Sequence, residues 1–374
     1  MPKITYKVYD KIEEIGRENW EVAFGDQAEG YSFYKAVEDS RLAGFTFHYL
    51  ELCQDTHPVV IAPLFCADFN LDIAAEGFLA RAIKFIRIFI PRFLICKTIF
   101  CGSPFSESGT LGVIKDDALS DPSLKRALLQ AIESHAEKSR AQMIIFKDFL
   151  RDDTKYLDDL KRSGFIKLES FPAVGVDLNF GSFEEYLQSL GSATRKNLRK
   201  KLKTAFAQGG IEVRLAEDIA PYVDEITRLY ENAYQAGSTK FEKLTAEFFL
   251  QVNKQLSPQA RFFLYYVSGK LAAFNLCLVH KNILIDKFIG FDYAVSKRYN
   301  LYFVSWAHNI KWCLEHSINA YYPGQTDYEP KIRLGGKLIP LYVYLKHRQP
   351  VSNFMLKLLA LFLKPDNFDQ KLKG

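Results

Sequence analysis

Apolar runs of strand length alternate with amphipathic helical stretches in the first half of the chain. Helices are predicted where apolar residues recur every three or four positions, at 31–43, 78–90 and 122–139. Strands are predicted where short apolar runs are bounded by turn residues, at 45–52, 59–65, 98–101, 143–146 and 174–178. This alternation indicates a mixed α/β texture.

The second half has a clearer order of elements. Two predicted helices precede a set of three apolar runs, which lie at 261–267, 271–279 and 283–290; the helices are at 216–236 and 245–256. The short turns SGK and HKN separate these runs, and such spacing predicts a three-stranded antiparallel meander. A helix at 299–316 and strands at 320–322 and 338–345 follow. The whole pattern predicts an α+β fold of mixed α/β character, with mostly antiparallel sheets flanked by helices.

The length and one turn signal predict two domains. A single hydrophobic core stops growing at roughly 250 to 300 residues, and this chain has 374. At 179–182 the sequence NFGS separates a strand-like run from a helical one, which favours a boundary near residue 180. We therefore expect a first domain at 1–180, a second at 181–350 and an amphipathic C-terminal tail at 351–374.

Composition narrows the class of protein. Hydrophobic residues make up 48% of the chain and charged residues 25%, which is the range of globular proteins. The 49 Lys and Arg residues exceed the 44 Asp and Glu residues by only 5, too little for a dedicated nucleic-acid-binding domain. The six cysteines have no C-x-x-C spacing, which is typical of reduced thiols in a cytosolic protein. The seven histidines show no metal-ligand spacing, so no metal site is indicated, and we expect His308 to be solvated.

One predicted helix has a basic amphipathic pattern that could bind a membrane surface. Basic residues and a proline interrupt the most apolar stretch, 78–100, so no segment is expected to span a membrane. Within the helix 78–90, however, apolar residues share one arc and Arg81, Lys84 and Arg87 share the other, a pattern typical of interfacial helices. Core packing with a basic outer face is the alternative, and the stretch 354–364 has the same two interpretations. We expect a cytoplasmic protein, and a peripheral position on the inner face of the membrane stays open.

A basic helix at 192–206 offers a candidate anion site. Leu198, Leu202, Ala205 and Phe206 form one apolar stripe, with Ser192 or Thr194 as the expected N-cap. Arg195 is only about 60° from Leu198 around the helix, so it leans toward the packed side. A guanidinium near a helix N-terminus suits phosphate or carboxylate. The outward lysines are more simply explained as a solvated face.

Three stretches carry a resemblance to a known family: YSFYKAVEDS with APLF at 31–40 and 62–65, SATRKNLRKKLK at 192–203, and GQTDYEPKIRLGGKLIP at 324–340. Together with the order of elements, they make the chain similar to two-domain GNAT-fold proteins related to the Fem-type peptidoglycan ligases and to predicted cell-envelope N-acyltransferases. The resemblance implies two tandem GNAT-like domains, the first of them degenerate. It also implies direct transfer of an acyl or aminoacyl group to an amine of an anionic, envelope-related acceptor.

The resemblance assigns roles to two groups of residues. It implies that Arg195 and Lys196 face a phosphate-bearing acceptor, and that Lys331 belongs to a short motif with Tyr328 and Gly335 that stabilises the transferring acyl group. A cation in this position fits the chemistry, since acyl transfer to an amine passes through a tetrahedral oxyanion. An ordinary surface lysine in a glycine-rich loop is the alternative.

Neighbouring residues of this loop have polar side chains that could take part. Gln325 and Tyr328 could orient the acceptor, and either Asp327 or Glu329 could remove the amine proton as general base. Spacing does not decide between the two carboxylates.

The donor site departs from the family pattern. GNAT enzymes bind the pyrophosphate of acyl-CoA with a glycine-rich loop, but here Arg298 is followed by Tyr299, Asn300 and Leu301. No permanently bound cofactor is expected, and the co-substrate is acyl-CoA or another carrier, such as an acyl carrier protein or an aminoacyl-tRNA. Nucleic acid is not otherwise expected as a partner. Two alternatives remain: a non-catalytic GNAT-fold binding protein that keeps the anion site, and an RNA-binding module that uses residues 195–203.

Overall fold

A computed structural model describes residues 2–25, 27–71, 77–237, 241–325 and 327–360, with the backbone only at 77–80 and 82. The strands are β1 Ile4–Tyr9, β2 Thr46–Gln54, β3 His57–Asn70, β4 Ile95–Cys101, β5 Gly112–Val113, β6 Met143–Leu150, β7 Ile166–Glu169, β8 Ala173–Asp177, β9 Ile211–Ala216, β10 Ala260–Val267, β11 Lys270–His280, β12 Ile283–Phe291, β13 Ala320–Tyr322, β14 Lys337–Ile339 and β15 Leu341–His347. The helices are α1 Ile12–Ile15, α2 Arg17–Phe24, α3 Tyr31–Asp39, α4 Gly77–Phe89, α5 Pro122–Lys138, α6 Thr154–Leu157, α7 Phe183–Ser189, α8 Ser192–Ala207, α9 Val223–Ala236, α10 Ala246–Gln255, α11 Tyr293–Tyr299, α12 Leu301–Glu315, α13 Tyr328–Arg333 and α14 Pro350–Ala360.

The strands form two sheets that follow the same plan. The first has the order β1-β2-β3-β4-β6-β15-β7, with β5 beside β3, and the second has the order β9-β10-β11-β12-β13-β8-β14. Each path is antiparallel except for one parallel pair in the middle, β4 with β6 and β12 with β13. The predicted α+β class, with mostly antiparallel sheets flanked by helices, is confirmed, and so is the meander of β10, β11 and β12.

Each sheet is completed by a strand that is distant in sequence. The chain divides into two compact units, the first made of 1–26, 43–172 and 340–374, the second of 27–42 and 173–339. In the first unit β15 lies between β6 and β7, so a strand from beyond residue 340 occupies the interior of that sheet. In the second unit β8 holds the same place, between β13 and β14.

This division differs from a single cut at residue 180. The stretch 338–345 is predicted as one strand, but it is divided at Pro340 into β14 of the second sheet and β15 of the first. A proline has no backbone N–H to donate to a ladder, so it marks the change of sheet. Which sheet a strand joins depends on an open position in space, and the hydrophobic pattern does not encode it.

The segment 27–42 also joins the second unit, although it was expected in the first domain. Gln255 Nε2 donates to Asp39 Oδ2 (2.8 Å), and Gln259 Nε2 donates to the carbonyl oxygen of Ala28 (3.0 Å). Lys287 on β12 forms a buried ion pair with Glu29, at 2.8 Å between Nζ and Oε1. These bonds attach α3 and its flanking residues to the unit.

The first unit packs its helices by the rules that predicted them. α5 begins at Pro122, and the Asp121 side chain caps it by accepting from the Ser123 amide (2.7 Å). Its buried stripe faces the first core and comprises Leu124, Leu128, Ala131, Ile132 and Ala136. α4 confirms the helix predicted at 78–90, and residues 361–374 of the expected tail lie outside the described residues. No helix in the described part of the chain combines the length and apolar composition needed to cross a bilayer.

Candidate active site

In the second unit the parallel pairing of β12 and β13 ends before β12 does. The pairing ends at Ile285 and Tyr322, while β12 continues to Phe291 along β11. The register between β11 and β12 shifts at Lys287. Cys277 pairs with Asp286, whereas the preceding residue, Leu276, pairs with Phe288, so Lys287 is the extra residue of a bulge. Such bulges bend a strand and re-aim its side chains, and they are frequent beside active sites. A small set of bonded polar residues includes Asp286, beside this bulge.

A buried polar network centres on the Asp286 carboxylate. It accepts from Asn275 Nδ2 (2.5 Å) and from the Tyr321 hydroxyl (3.1 Å). Asn309 on α12 completes the network by donating to Asn275 Oδ1 (2.7 Å) and to the Tyr321 oxygen (3.1 Å). Asn275, Asn309 and Tyr321 are almost fully buried, and burial raises the pKa of Tyr321 well above its ordinary value. These bonds between buried polar groups help to fix the arrangement of the strands and the helix, and Asn309 Oδ1 is the buried atom of the set with no hydrogen-bond partner in the described part of the chain.

Sequence reasoning missed this network. Asn275 and Asp286 are polar residues inside otherwise apolar strands, and that interruption is the one signal that could have found them. Their partners on α12 and β13 are contributed by tertiary packing, so spacing alone does not identify the set.

Lys331 is a buried cation and not an ordinary surface lysine. It lies on α13, only 7% of its surface is exposed, and its Nζ donates to the carbonyl oxygens of Gly324 (3.1 Å) and Gln325 (2.9 Å). Gly324 has φ +75°, and a Cβ there would come within 3.4 Å of the Asp286 carbonyl oxygen. The loop that Lys331 holds therefore packs against β12 at the polar network.

The other predicted residues of this loop differ in their surroundings. Tyr328 is buried at the start of α13, and Asp327, just before it, is exposed with φ +47°. Glu329 is paired with Arg333, at 2.6 Å between Oε1 and Nη2. The two candidate bases thus differ in their surroundings, since Glu329 has an arginine partner and Asp327 is exposed.

The charge of the Asp327 carboxylate acts on two tyrosines. Burial raises the pKa of Tyr293, and the negative charge of Asp327 raises it further. Burial also raises the pKa of Tyr302, with added effects from the carboxylates of Asp286 and Asp327. The Tyr302 hydroxyl is buried and has no hydrogen-bond partner in the described part of the chain. A buried hydroxyl in this state marks a place where a ligand atom or water would be bound favourably.

Arg195 is held in place, as its helical position predicts, but by backbone carbonyls. Its Nη1 donates to the carbonyl oxygens of Gln188 (3.1 Å) and Leu190 (3.4 Å) at the end of α7. Lys196 is exposed beside it. A Cβ at Gly335, which has φ +94°, would come within 3.6 Å of Leu190 Cδ2, so the residue that accepts from Arg195 also packs near the Lys331 loop.

Two details of α8 differ from the expectation. The helix begins at Ser192 with Gly191 as N-cap and no side-chain cap, so the predicted cap by Ser192 or Thr194 is wrong. Leu198 and Ala205 are buried as predicted, whereas Phe206, at the frayed end of the stripe, is mostly exposed.

The stretch expected to bind the donor is helical. Residues 293–299 form α11, and Asn300, with φ +50°, connects it to α12. Arg298 donates from Nε to Gln208 Oε1 (3.0 Å), and Gln208 Nε2 donates to the Arg298 carbonyl oxygen (3.0 Å). The amides of Ala294 and Ser296 are bonded to Asp292 within this helix. This geometry differs from an open, glycine-rich phosphate loop.

One prediction about the remaining titratable residues is wrong. His308 is not solvated: its ring lies 4.7 Å from that of Phe263, and burial lowers its pKa. All six cysteines are free thiols. Within the described ranges, no group of His, Cys, Asp and Glu side chains is arranged to hold a metal ion.

Comparisons with known proteins agree with this geometry. FemX has a similar structure, with a TM-score of 0.56 and 13% identity, covering 90% of this chain and 96% of the other. A tandem GNAT protein from the clavulanic acid biosynthesis pathway gives a TM-score of 0.56 at 10% identity, covering 93% and 99%. L-PGS from Bacillus licheniformis gives 0.55 at 10% identity, covering 94% and 96%. At such identities these structures establish the shared tandem GNAT-like fold.

The family follows from a second comparison. No curated protein matches the sequence. Residues 11–344 match the FemAB-like family, which is described as acting in peptidoglycan biosynthesis/recognition. The match spans both compact units and contains the Lys331 loop, the Arg195 helix and the polar network. The chain therefore belongs to the FemAB-like family, and at this family level it is a transferase of acyl or aminoacyl groups.

Proposed function

We propose that this protein is an N-acyltransferase that passes an acyl or aminoacyl group directly to an amine of an anionic, cell-envelope-related acceptor. The observation that carries the proposal is the buried ammonium of Lys331, held by the carbonyls of Gly324 and Gln325 beside the end of the β12–β13 pairing. The family match supports the reaction class, because the family is described by peptidoglycan biosynthesis and recognition.

Lys331 has the properties needed to stabilise an oxyanion. The carbonyls of Gly324 and Gln325 accept from its ammonium and so fix the position of that group. A fixed cation in a site sheltered from water contributes more than the same cation in bulk solvent, and one such donor is worth about 3–4 kcal/mol of transition-state stabilisation. Direct transfer of this kind needs no covalent enzyme intermediate.

Asp327 is the better of the two candidate bases. Glu329 is engaged by Arg333 in an ion pair, whereas Asp327 is exposed and its charge acts on Tyr293 and Tyr302. An acceptor amine beside Tyr302 would give that buried hydroxyl a partner and bring the amine proton toward the Asp327 carboxylate. Gln325 and Tyr328 would orient the amine from the same loop.

Arg195 and Lys196 are proposed to bind the anionic part of the acceptor. One nitrogen of Arg195 is anchored at the end of α7, and the guanidinium carries further N–H donors on Nε and Nη2. Leu190 accepts from Arg195 and lies near Gly335 of the Lys331 loop, so one residue links the two groups.

The donor is proposed to be a carrier that binds as a co-substrate, either acyl-CoA or another acyl or aminoacyl carrier, with Arg298 as one contact. Because α11 replaces a glycine-rich loop, an acyl carrier protein or an aminoacyl-tRNA fits the site as well as acyl-CoA does. A tRNA donor would be the only nucleic-acid partner.

A donor screen tests the proposal. Thermal unfolding would be followed with acetyl-CoA, long-chain acyl-CoA, acyl carrier protein and aminoacyl-tRNA in turn, because a ligand that binds the folded state raises Tm. Mass spectrometry of a soluble, amine-bearing and phosphate-bearing peptidoglycan precursor would then detect the transferred group. Stabilisation by one donor with a mass gain on the acceptor is the expected result, and the absence of transfer from every donor would contradict it.

The altered donor stretch also favours a second candidate, a non-catalytic protein that binds the same acceptor. In that case the acceptor would raise Tm while no donor did, and Lys331 variants would change binding alone. The same screen therefore separates an enzyme from a binding protein.

Attachment to the inner face of the membrane is a further part of the proposal. α4 is the predicted contact, because it combines apolar residues with Arg81 and Lys84 on the exposed part of its surface.

A further inference from the structure

The helix α4 leaves a large apolar surface uncovered. Phe85, Ile88 and Phe89 are 62%, 71% and 73% exposed, whereas Ile83 is buried against the first unit. Arg87 Nε donates to the Phe93 carbonyl oxygen (3.0 Å) in the turn that follows the helix. The helix is therefore fixed by one side and presents large apolar side chains on the other.

The helix α14, in the same unit, has a similar surface. Val351 and Phe354 are 77% and 58% exposed, and Met355, Leu358 and Leu359 are also exposed. Asn353 fixes the helix, since its Nδ2 donates to the Gly164 carbonyl oxygen (3.0 Å) and its Oδ1 accepts from the His347 amide (3.0 Å). Two helices of the first unit thus each expose several large apolar side chains, and clusters of this kind often mark interaction sites.

Strand register shows that both helices start from the same end of the first sheet. β3 ends at Asn70, which pairs with Ile95 at the beginning of β4, and α4 is inserted between these two strands. β15 ends at His347, which pairs with Met143, and Met143 pairs with Thr98 of β4. Ile95 and Thr98, which mark the ends of β3 and β15 on β4, are three residues apart, or roughly 10 Å at 3.3 Å per residue.

The charges of α4 and α14 favour one kind of partner. The ranges of α4 and α14 contain four basic residues, Arg81, Lys84, Arg87 and Lys357, and no acidic residue. Asp68 lies nearby, but it is paired with Arg92 at 2.7 Å. A second copy of the chain would bring like charges together, which is unfavourable at an interface. An anionic lipid surface accepts both the apolar side chains and the basic groups.

We infer that α4 and α14 together form a platform that docks the first unit on an anionic bilayer. The inference deepens the peripheral attachment proposed above, since it names the partner and adds α14 to the contact, and it does not depend on the transferase chemistry. Both helices insert their exposed apolar residues at the lipid interface, while Arg81 and Lys84 contact the anionic headgroups.

Co-sedimentation with vesicles tests the platform. The full chain would be mixed with vesicles of phosphatidylcholine alone and with vesicles that also contain phosphatidylglycerol. We expect strong preference for the anionic vesicles, weakened by salt. Ile88→Ser with Phe89→Ser in α4, and Val351→Ser with Phe354→Ser in α14, should each lower binding at least tenfold. The control pair, Val22→Ser with Phe206→Ser, changes exposed apolar residues on other elements and should leave binding unchanged.

The basic residues are tested separately. Arg81→Gln with Lys84→Gln should reduce the preference for anionic vesicles roughly 25-fold, which corresponds to about fivefold for each charge removed. Arg87 is left intact because it bonds to the Phe93 carbonyl. The matched control, Arg126→Gln with Lys155→Gln, removes two exposed charges from other helices of the same unit and should have no effect.

The outcomes separate the platform from the other proposals. Loss of binding with the α4 variant alone would overturn the platform and leave attachment through α4. No binding to any vesicle would overturn both, and a dimer in lipid-free solution that the α4 variant dissociates would show a self-interface instead. Each variant should keep the wild-type Tm and its activity on a soluble acceptor, so failure of the transferase assay would not be confused with failure of docking.

Discussion

At the scale of single residues, the second unit contains two buried lysines that are held in different ways. Lys287 is paired with the Glu29 carboxylate, while Lys331 is bonded to the carbonyls of Gly324 and Gln325. A carboxylate neutralises a buried ammonium, so that pair is suited to holding structure. The two carbonyls that accept from Lys331 hold its ammonium in one position, and a fixed cation can act on a developing anion.

Replacement of Lys331 tests its role in the reaction. Lys331→Met should lower kcat roughly 10²-fold or more, with little change in KM for the acceptor, because the interaction is made in the transition state. Steady-state kinetics with the donor found in the screen would measure this. The control is Arg333→Met, which removes an exposed cation from the same helix and should leave kcat nearly unchanged.

Two results would count against this assignment. An unchanged kcat would exclude Lys331 from the chemistry. A raised KM with a lowered Tm would show that the residue mainly holds the 324–325 loop.

Arg195 is predicted to act on binding of the acceptor. Arg195→Ala should raise KM for the anionic acceptor and leave donor binding unchanged, and Arg195→Lys should restore affinity only in part, because an ammonium does not reproduce the guanidinium fork. Arg199→Ala is the matched control, since Arg199 lies one turn further along α8 and is paired with Glu184. An unaltered KM in Arg195→Ala would remove the proposed role.

The pair of Lys287 and Glu29 should stabilise the fold only as a pair. Lys287→Met leaves the Glu29 carboxylate buried without its counter-ion and should lower the free energy of unfolding by about 3–5 kcal/mol. Adding Glu29→Leu should recover much of this loss, because a well-packed apolar pair is often as stable as a buried ion pair. Urea unfolding of the single and double variants would measure both effects, and a double variant no better than the single one would contradict the argument.

At the scale of elements, the position of β15 makes a distant strand part of the first core. Tyr344 on β15 is fully buried there, and its hydroxyl donates to Asp158 Oδ1 (2.5 Å). The strands on either side, β6 and β7, are bonded to β15 and not to each other. The first sheet therefore depends on a segment that follows the whole second unit in sequence.

A substitution in β15 should lower the stability of the first unit. Tyr344→Ala removes a buried aromatic ring and should destabilise that unit by about 3–5 kcal/mol. Hydrogen exchange would show the loss of protection in β6 and β7, with β8 and β13 less affected. Tyr321→Ala, which removes a buried tyrosine of the second unit, should give the reverse pattern. Equal loss in both units for Tyr344→Ala would contradict this assignment of β15.

The elements that the sequence predicted are those with local signals. The meander of β10, β11 and β12 is marked by two short turns, and α5 by Asp121 and Pro122 at its start. The division of 338–345 between two sheets has no such signal apart from Pro340, because its cause is the empty position between β6 and β7. Local chemistry predicts an element, whereas its partner is decided by the completed sheet.

At the scale of the whole molecule, the same distinction applies to the candidate site. Lys331, Tyr328 and Gln325 could be predicted because one loop carries them, and the structure brings this loop to the end of the β12–β13 pairing. Asp286, Asn309 and Tyr302 could not be predicted as a set, since they come from a strand and a helix that meet only in the folded unit. The burial of Lys331 likewise depends on tertiary packing.

The late position of β15 in the sequence also limits when the first sheet can be completed during synthesis. β7 has no neighbour in its sheet until β15 is available, and β15 follows every strand of the second unit along the chain. As the chain leaves the ribosome, the first sheet therefore stays incomplete while the second unit is made, although most of its own strands are made earlier. The first unit has to wait with an open interior position, which is the period when unpaired strand edges are most prone to aggregation and most in need of a chaperone.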